Sequence, residues 1–182
     1  MKTLIFNGSP RKNGDTVSFL NEFIKYIKGE YKVIDTYYSN IGACVDCRYC
    51  WEKDGCCQDD EWKDVDTYLR ECDNIVIASP IYFSELTGPL LSSVSKIQAY
   101  WSARFFRKKE IIDKPKKGGI ILIGGGDGHM STPIETATDI LYHMNAHNVA
   151  PAICSHNTNN APAKEDKIAM NKLKDLACFF NQ

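Results

Sequence analysis

The sequence lacks any long hydrophobic run. Near its start only Leu4, Ile5 and Phe6 follow one another, too few for a signal-peptide core, and no later run approaches membrane-spanning length. The expectation is a cytoplasmic protein with no membrane span. Charge of one sign is lacking as well: a net charge of −1 leaves no field to favour a polyanion, which argues against nucleic acid or an anionic membrane as a partner. No internal repeat and no linker rich in Pro, Gly or Ser divides the chain, so residues 1–182 are expected to form one domain. Histidine is scarce, and His129, His143, His147 and His156 are read as surface or packing residues, with His129 nearest to a glycine-rich loop. What remains is specific small-molecule chemistry on a chain whose 43% apolar residues can bury a core unaided.

Apolar runs alternate with stretches of helical period from end to end, the pattern of a parallel sheet with helices on both faces. Strands are predicted at Thr3 to Asn7, Lys32 to Asp35, Asn74 to Ser79, Gly119 to Ile123 and Val149 to Cys154. Between them lie helices marked by Val17, Leu20, Phe23, Ile24 and Ile27, then by Trp62, Val65, Leu69 and Cys72. A third is expected to begin near Pro89 and run unbroken through Ile97 and Trp101 towards Phe105. The fourth carries Ile134, Ala137, Leu141 and Met144, and the last spans Glu165 to Phe180. In such a sheet a ligand sits beyond the carboxyl ends of the strands, where the strand order reverses. The loops after strands one, three and four therefore matter most.

The first of these, Gly8 to Thr16, joins a strand to a helix, so free backbone N–H groups and the positive end of the helix face any ligand bound there. Hydroxyls at Ser9 and Thr16 and the guanidinium of Arg11 suit a phosphate monoester. The spacing excludes two other phosphate motifs. Five residues separate Gly8 from Gly14 and Asp15 stands where a P-loop lysine belongs, while two glycines do not make a dinucleotide fingerprint. The alternative is an ordinary polar turn with Asp15 or Thr16 capping the helix. After strand three, Pro80, Ile81, Tyr82 and Phe83 can form a rigid wall for a flat ring, or simply a turn that closes the core. After strand four, Gly124, Gly125, Gly126 and Asp127 allow close backbone approach to a ligand, or a flexible connection.

GSPRKNGDT after the first strand, SPIYF after the third and GGG after the fourth resemble the NADPH-dependent FMN reductase branch of the flavodoxin-like proteins, which includes iron-sulfur flavoproteins. The resemblance covers nearly the whole chain in order. It implies a flavodoxin-like α/β fold with a five-stranded parallel sheet of order 2-1-3-4-5. It also implies an FMN whose phosphate lies against Ser9, Arg11, Asp15, Thr16 and Val17, the last by its backbone amide, and whose ring lies along Pro80 to Phe83 and Gly124 to Asp127. Asp15 departs from the family's usual Asn or Ser. A carboxylate about 4 Å from a phosphate costs on the order of 4 kcal/mol per charge pair at an effective dielectric of 20, so Asp15 is expected to turn away or bind only through its backbone. Leu91, Ser95 and Lys96 stand where the family often has charged residues of a Gly-x-Leu-Lys and Ile-Asp-Arg pattern. Hydride from NAD(P)H would reach the flavin, so no catalytic side chain is expected. Relatives commonly form homodimers.

Five of the eight cysteines, Cys44, Cys47, Cys50, Cys56 and Cys57, crowd one short window, as metal or redox sites do. Cys44, Cys47, Cys50 and Cys56 can wrap one centre. The resemblance to iron-sulfur flavoproteins suggests a [4Fe–4S] cluster. Zinc is chemically open, and many relatives keep a similar loop without any cluster. A thioredoxin-type pair lacks an evident helix start beside it. The acidic Asp46, Asp54, Asp59 and Asp60 would repel an anionic cluster. From Arg104 to Lys117, seven of fourteen residues are basic, read as a solvated helix end, and Tyr100, Trp101, Phe105 and Phe106 before it hint at a dimer contact. Three functions follow: an FMN-dependent NAD(P)H oxidoreductase with a small-molecule or protein acceptor, a flavin and iron-sulfur electron carrier, and a metal-binding module without flavin.

Overall fold

The computed structural model describes residues 1–182. Its strands are β1 (Lys2–Asn7), β2 (Glu30–Asp35), β3 (Asn74–Pro80), β4 (Lys117–Ile123), β5 (Asn148–Val149) and β6 (Ile153–Ser155). All pair in parallel, in the order β2-β1-β3-β4-β5, with β6 also on β4. The helices are α1 (Asp15–Ile24), α2 (Tyr49–Glu52), α3 (Trp62–Glu71), α4 (Gly88–Val94), α5 (Gln98–Arg107), α6 (Ser131–His143) and α7 (Lys167–Phe180). None is long and apolar enough to cross a membrane.

The period-2 geometry of a strand explains the layers. Leu4, Phe6, Ile75, Ile77, Ile120 and Leu122 point to one face, where they pack with Leu69 of α3, Leu90 of α4, Tyr100 of α5 and Leu141 of α6. Ile5, Val76, Ala78, Ile121 and Ile123 point to the other, against Phe19 and Phe23 of α1 and Leu173, Ala177 and Phe180 of α7. Central strands apolar on both faces are what a parallel sheet requires. Phe23 and Phe180 meet edge to face at 5.8 Å and join α1 to α7.

Four features depart from the expected order. The fifth strand is broken into β5 and β6 around Pro151, whose missing N–H interrupts the ladder on β4, so the sheet has six strands. The third helix is not continuous. Ser93 Oγ donates to the Pro89 carbonyl (2.8 Å) and Ser95 Oγ to that of Ser92 (2.6 Å), and such bonds back to the preceding turn bend helices, here into a 3-10 turn over Ser95–Ile97 between α4 and α5. The last helix starts at Lys167 because Asp166 caps it, accepting the Ala169 N–H at 3.0 Å. The cysteine window holds a short helix, α2, that its sequence did not announce.

Candidate functional site

The carboxyl ends of β1, β3 and β4 open on one cleft of about 350 Å³, lined by Ser9, Pro10, Arg11, Gly14, Asp15, Thr16, Pro80, Ile81, Tyr82, Ile123, Gly125, Gly126, Thr158 and Asn159. Nine of the predicted cofactor residues therefore share one wall system. Val17, Phe83, Gly124 and Asp127 do not line it. Val17 faces a neighbouring groove with Asn7, Lys12, Asp35 and Tyr38, and Gly124 sits behind the loop with its N–H bonded to the Ser155 carbonyl at 2.8 Å.

The first loop is held from below. Asn7 donates to Asp35 (2.7 Å) and accepts the Ser9 N–H (3.1 Å), while Ser9 Oγ accepts the Arg11 N–H (3.2 Å). Gly8 passes so close to the following strand loop that a Cβ there would lie 2.8 Å from Leu90 Cδ1 and Thr87 Oγ1. Thr87 instead donates to the Gly8 carbonyl at 2.9 Å and ties the two loops together. Gly14, not Asp15 or Thr16, is the N-cap of α1, and no side chain caps that helix. Its first amides face the cleft without an internal acceptor, which is the arrangement that receives an anion. Arg11 is the single cation among the lining residues and Asp15 the single carboxylate. That carboxylate accepts the Ala163 N–H at 2.8 Å, so it is engaged at the approach to α7.

Thr158 and Asn159 were missed by the sequence reading. They arrive by a zipper of backbone bonds: the N–H groups of Asn157, Thr158 and Asn159 donate to the carbonyls of Gly126, Gly124 and Gly125 at 2.8, 3.1 and 3.1 Å. A Cβ on Gly125 would meet the Asn159 side chain at 2.9 Å, so the glycine admits this neighbour. The polar run Asn157 to Asn160, just past the last strand at the same sheet edge, was the available signal.

Tyr82 and Glu85 exchange backbone bonds (3.0 and 3.1 Å) around a two-residue tip of Phe83 and Ser84, both left-handed at φ 52° and 61°. Asn-Gly is the favoured pair for such a turn, and a bulky residue there is strained. Phe83 is fully exposed, at 106%. Replacing Phe83-Ser84 with Asn-Gly is expected to raise stability by about 1–2 kcal/mol, read as a higher urea midpoint at unchanged slope. An unchanged midpoint would mean that the tip carries no strain.

The cysteine window forms a second site. Cys44, Cys47, Cys50, Cys56 and Cys57 all line a cavity of about 20 Å³, with Lys96, Gln98 and Ala99. All eight cysteines of the chain are free thiols, and no three metal-ligating side chains converge closely enough to hold an ion. The predicted quartet is thus not drawn together around a point; the sulfurs that approach each other are those of Cys47 and Cys57, at 3.3 Å. The Tyr49 amide, and then the Cys57 thiol, hold the Cys47 thiol below its ordinary value, whereas sharing with Cys47 pushes Cys57 up. A helix start does follow Cys47 at Tyr49, contrary to the sequence reading.

The window is fastened to α5. Trp51 stacks on Phe106 at 4.1 Å, and Asp54 pairs with Arg107 and Lys109. Phe106, Arg107 and Lys109 thus have partners within the chain, while Phe105 stays 56% exposed, and Asp54 is neutralised rather than left to repel. The buried Lys96 pairs with Asp60, which also accepts the Gly42 and Trp62 N–H groups, each at 3.0 Å. Elsewhere in the basic segment Lys114 pairs with Asp73 at 2.7 Å, and Arg104 contacts His143 at 2.9 Å.

The family model for NADPH-dependent FMN reductase matches residues 1–160. An iron-sulfur flavoprotein of Archaeoglobus fulgidus is 26% identical over 70% of this chain and 56% of its own length. One of Methanosarcina thermophila is 23% identical over 97% of this chain and 92% of its own. The match thus spans little more than half of the first relative and nearly all of the second. Among solved structures, an FMN-dependent NADH-azoreductase of Bacillus anthracis in complex with FMN superposes with a TM-score of 0.75 at 12% identity, covering 100% of both chains. An NAD(P)H:quinone oxidoreductase of Methanothermobacter marburgensis gives 0.74 at 14% identity, over 97% of this chain and 95% of that one. At such identities the superpositions establish a common fold, the flavodoxin-like one.

Proposed function

This chain belongs to the NADPH-dependent FMN reductase family, and from that premise we propose that it binds FMN in the cleft and passes electrons from NAD(P)H to a small-molecule or protein acceptor. The observation that carries the reading is the uncapped amide end of α1, which faces the same cleft as Arg11 and the Pro80-Ile81-Tyr82 wall. The amides of Asp15 to Val17, the Ser9 and Thr16 hydroxyls and Arg11 would hold the phosphate. Pro80, Ile81 and Tyr82, with Gly125, Gly126, Thr158 and Asn159 of the same cleft, would hold the ring system. When bound, the flavin supplies the hydride chemistry. The residues lining the cleft would position it. Asp15, engaged by Ala163, keeps its carboxylate occupied and contributes its backbone amide. On this reading the 182 residues act as one cytoplasmic domain that assembles as a homodimer.

The test is anaerobic titration of FMN-loaded protein with NADPH or NADH. Loss of the two visible flavin bands is expected with at least one of them. Bands that stay unchanged with both nucleotides, yet fall with a ferredoxin-like donor, would move the protein to the class of electron carriers.

A second reading is favoured by one observation: all five window cysteines line a single cavity. Cys44, Cys47, Cys50 and Cys56 would then supply thiolates to a [4Fe–4S] cluster, with the buried Lys96 cation beside them and Asp54 already neutralised. Iron and sulfide analysis of protein purified without oxygen tests it, four irons per chain supporting the cluster and zinc or no metal excluding it.

A further inference from the structure

Cys44, Cys47, Cys50 and Cys56 are the candidate ligand set of the window, and Cys57 lies outside it. Its sulfur nevertheless makes the closest approach to another cysteine, 3.3 Å from that of Cys47. Both residues are exposed, and both thiols are free. The chain between them is turned back at two left-handed residues, Arg48 at φ 62° and Gly55 at φ 81°, so α2 forms the arch of a loop whose feet are the two sulfurs. The Trp51–Phe106 stack and the Asp54 pairs with Arg107 and Lys109 hold that arch to α5. The feet are therefore held in register by contacts that do not involve sulfur. A disulfide needs its sulfurs at about 2.0 Å, which asks for a shift of little more than 1 Å between two exposed side chains.

We propose that Cys47 and Cys57 are a reversible dithiol–disulfide site, oxidised by small-molecule disulfides such as glutathione disulfide. The chemistry balances as two exchanges. A thiolate of the pair attacks one sulfur of the oxidant, forming a mixed disulfide and releasing one thiolate. The second thiol of the pair loses its proton to solvent and attacks the mixed disulfide at the protein sulfur, releasing the other thiolate, and both released thiolates are protonated. The two protein thiols are oxidised and one oxidant disulfide becomes two thiols. A reducing thiol in excess reverses both steps. The inference rests on the geometry of the window and stands whether or not the cleft holds a flavin.

The full chain, reduced and then equilibrated without oxygen against glutathione disulfide, is alkylated and mapped by mass spectrometry. Trypsin cuts after Arg48 and Lys53, so it separates Cys44 and Cys47 from Cys50 and from Cys56 and Cys57, and fragmentation assigns the linked sulfurs. With alkylation carried out after denaturation so that the buried Cys72 is counted, the expected result is loss of two of the eight thiols, with Cys47 linked to Cys57 and full recovery on reduction. In Cys57→Ser the internal link should be absent and a glutathione adduct should persist on Cys47, because the resolving thiol is gone. Cys47→Ser should likewise lose the internal link. Three outcomes would overturn the proposal: eight reactive thiols after oxidation, links shared evenly among Cys44, Cys50 and Cys56, or a loss of two thiols that survives in Cys57→Ser.

Discussion

Replacing Arg11 with alanine is expected to weaken FMN binding by about 10- to 100-fold while leaving riboflavin binding within about twofold. The size follows from what the guanidinium would do: a hydrogen bond to a charged group contributes about 1.5–3 kcal/mol, and each 1.4 kcal/mol is tenfold in Kd. Arg11 is the single cation lining the cleft, so no neighbour substitutes for it. The comparison with riboflavin isolates the phosphate, because the two ligands share the ring and ribityl chain and differ only there. Arg11→Lys should recover part of the loss, since a lysine keeps the charge but not the planar fork. Flavin fluorescence on titration reads both constants. Equal weakening for FMN and riboflavin would mean that Arg11 supports the loop, whose Ser9 hydroxyl it meets through its own backbone, and not the phosphate.

The largest effect on stability is expected at Lys96, far from that loop. Its side chain is 0% exposed and its partner Asp60 only 12%. Removing one member of a buried pair strands the other's charge, which costs about 3–5 kcal/mol, so Lys96→Ala should shift the urea midpoint by a large part of the protein's stability. The double variant Lys96→Met with Asp60→Asn removes both charges and should be more stable than Lys96→Ala. If the single and double variants melt together, the ammonium is not what balances Asp60. The pair also has a pH signature. Burial alone would push the Asp60 carboxyl up, but the Lys96 ammonium and the amides of Gly42 and Trp62 outweigh it and hold the carboxyl below the ordinary aspartate value. A group held down in the folded state stabilises above its unfolded value, about 3.9, and loses that contribution as pH falls through the depressed one. Acid unfolding of the native chain should therefore include this loss, and Lys96→Ala should show less of it.

Lys96 also illustrates how a departure from a family pattern is resolved in three dimensions. The resemblance to the family pattern left its contact open. The structure gives it Asp60, 36 residues earlier, at the foot of the cysteine window. The cysteine window itself shows the other side of the same lesson. Its spacing suggested a quartet, and the fold places all five sulfurs on one cavity yet sets Cys47 beside Cys57, because α2 and its Trp51–Phe106 stack decide which sulfurs can meet. Phe83 stands on an exposed turn, since the bond pair between Tyr82 and Glu85 fixes the strand edge and leaves the tip outside.

What the sequence determined by itself is the order of strands and helices, their parallel packing and the strand-to-helix loop from Gly8 to Thr16 at the edge of the cleft. These rest on hydrophobic period and on the backbone needs of glycine and helix ends, which act over a few neighbouring residues and are legible one segment at a time. Only the tertiary structure decided that Thr158 and Asn159 join the cleft, that Asp15 is engaged by Ala163, that Lys96 balances Asp60 and that Cys47 meets Cys57. Most of these partners are tens of residues apart or more, and their meeting depends on how whole elements pack, a property that no local pattern encodes.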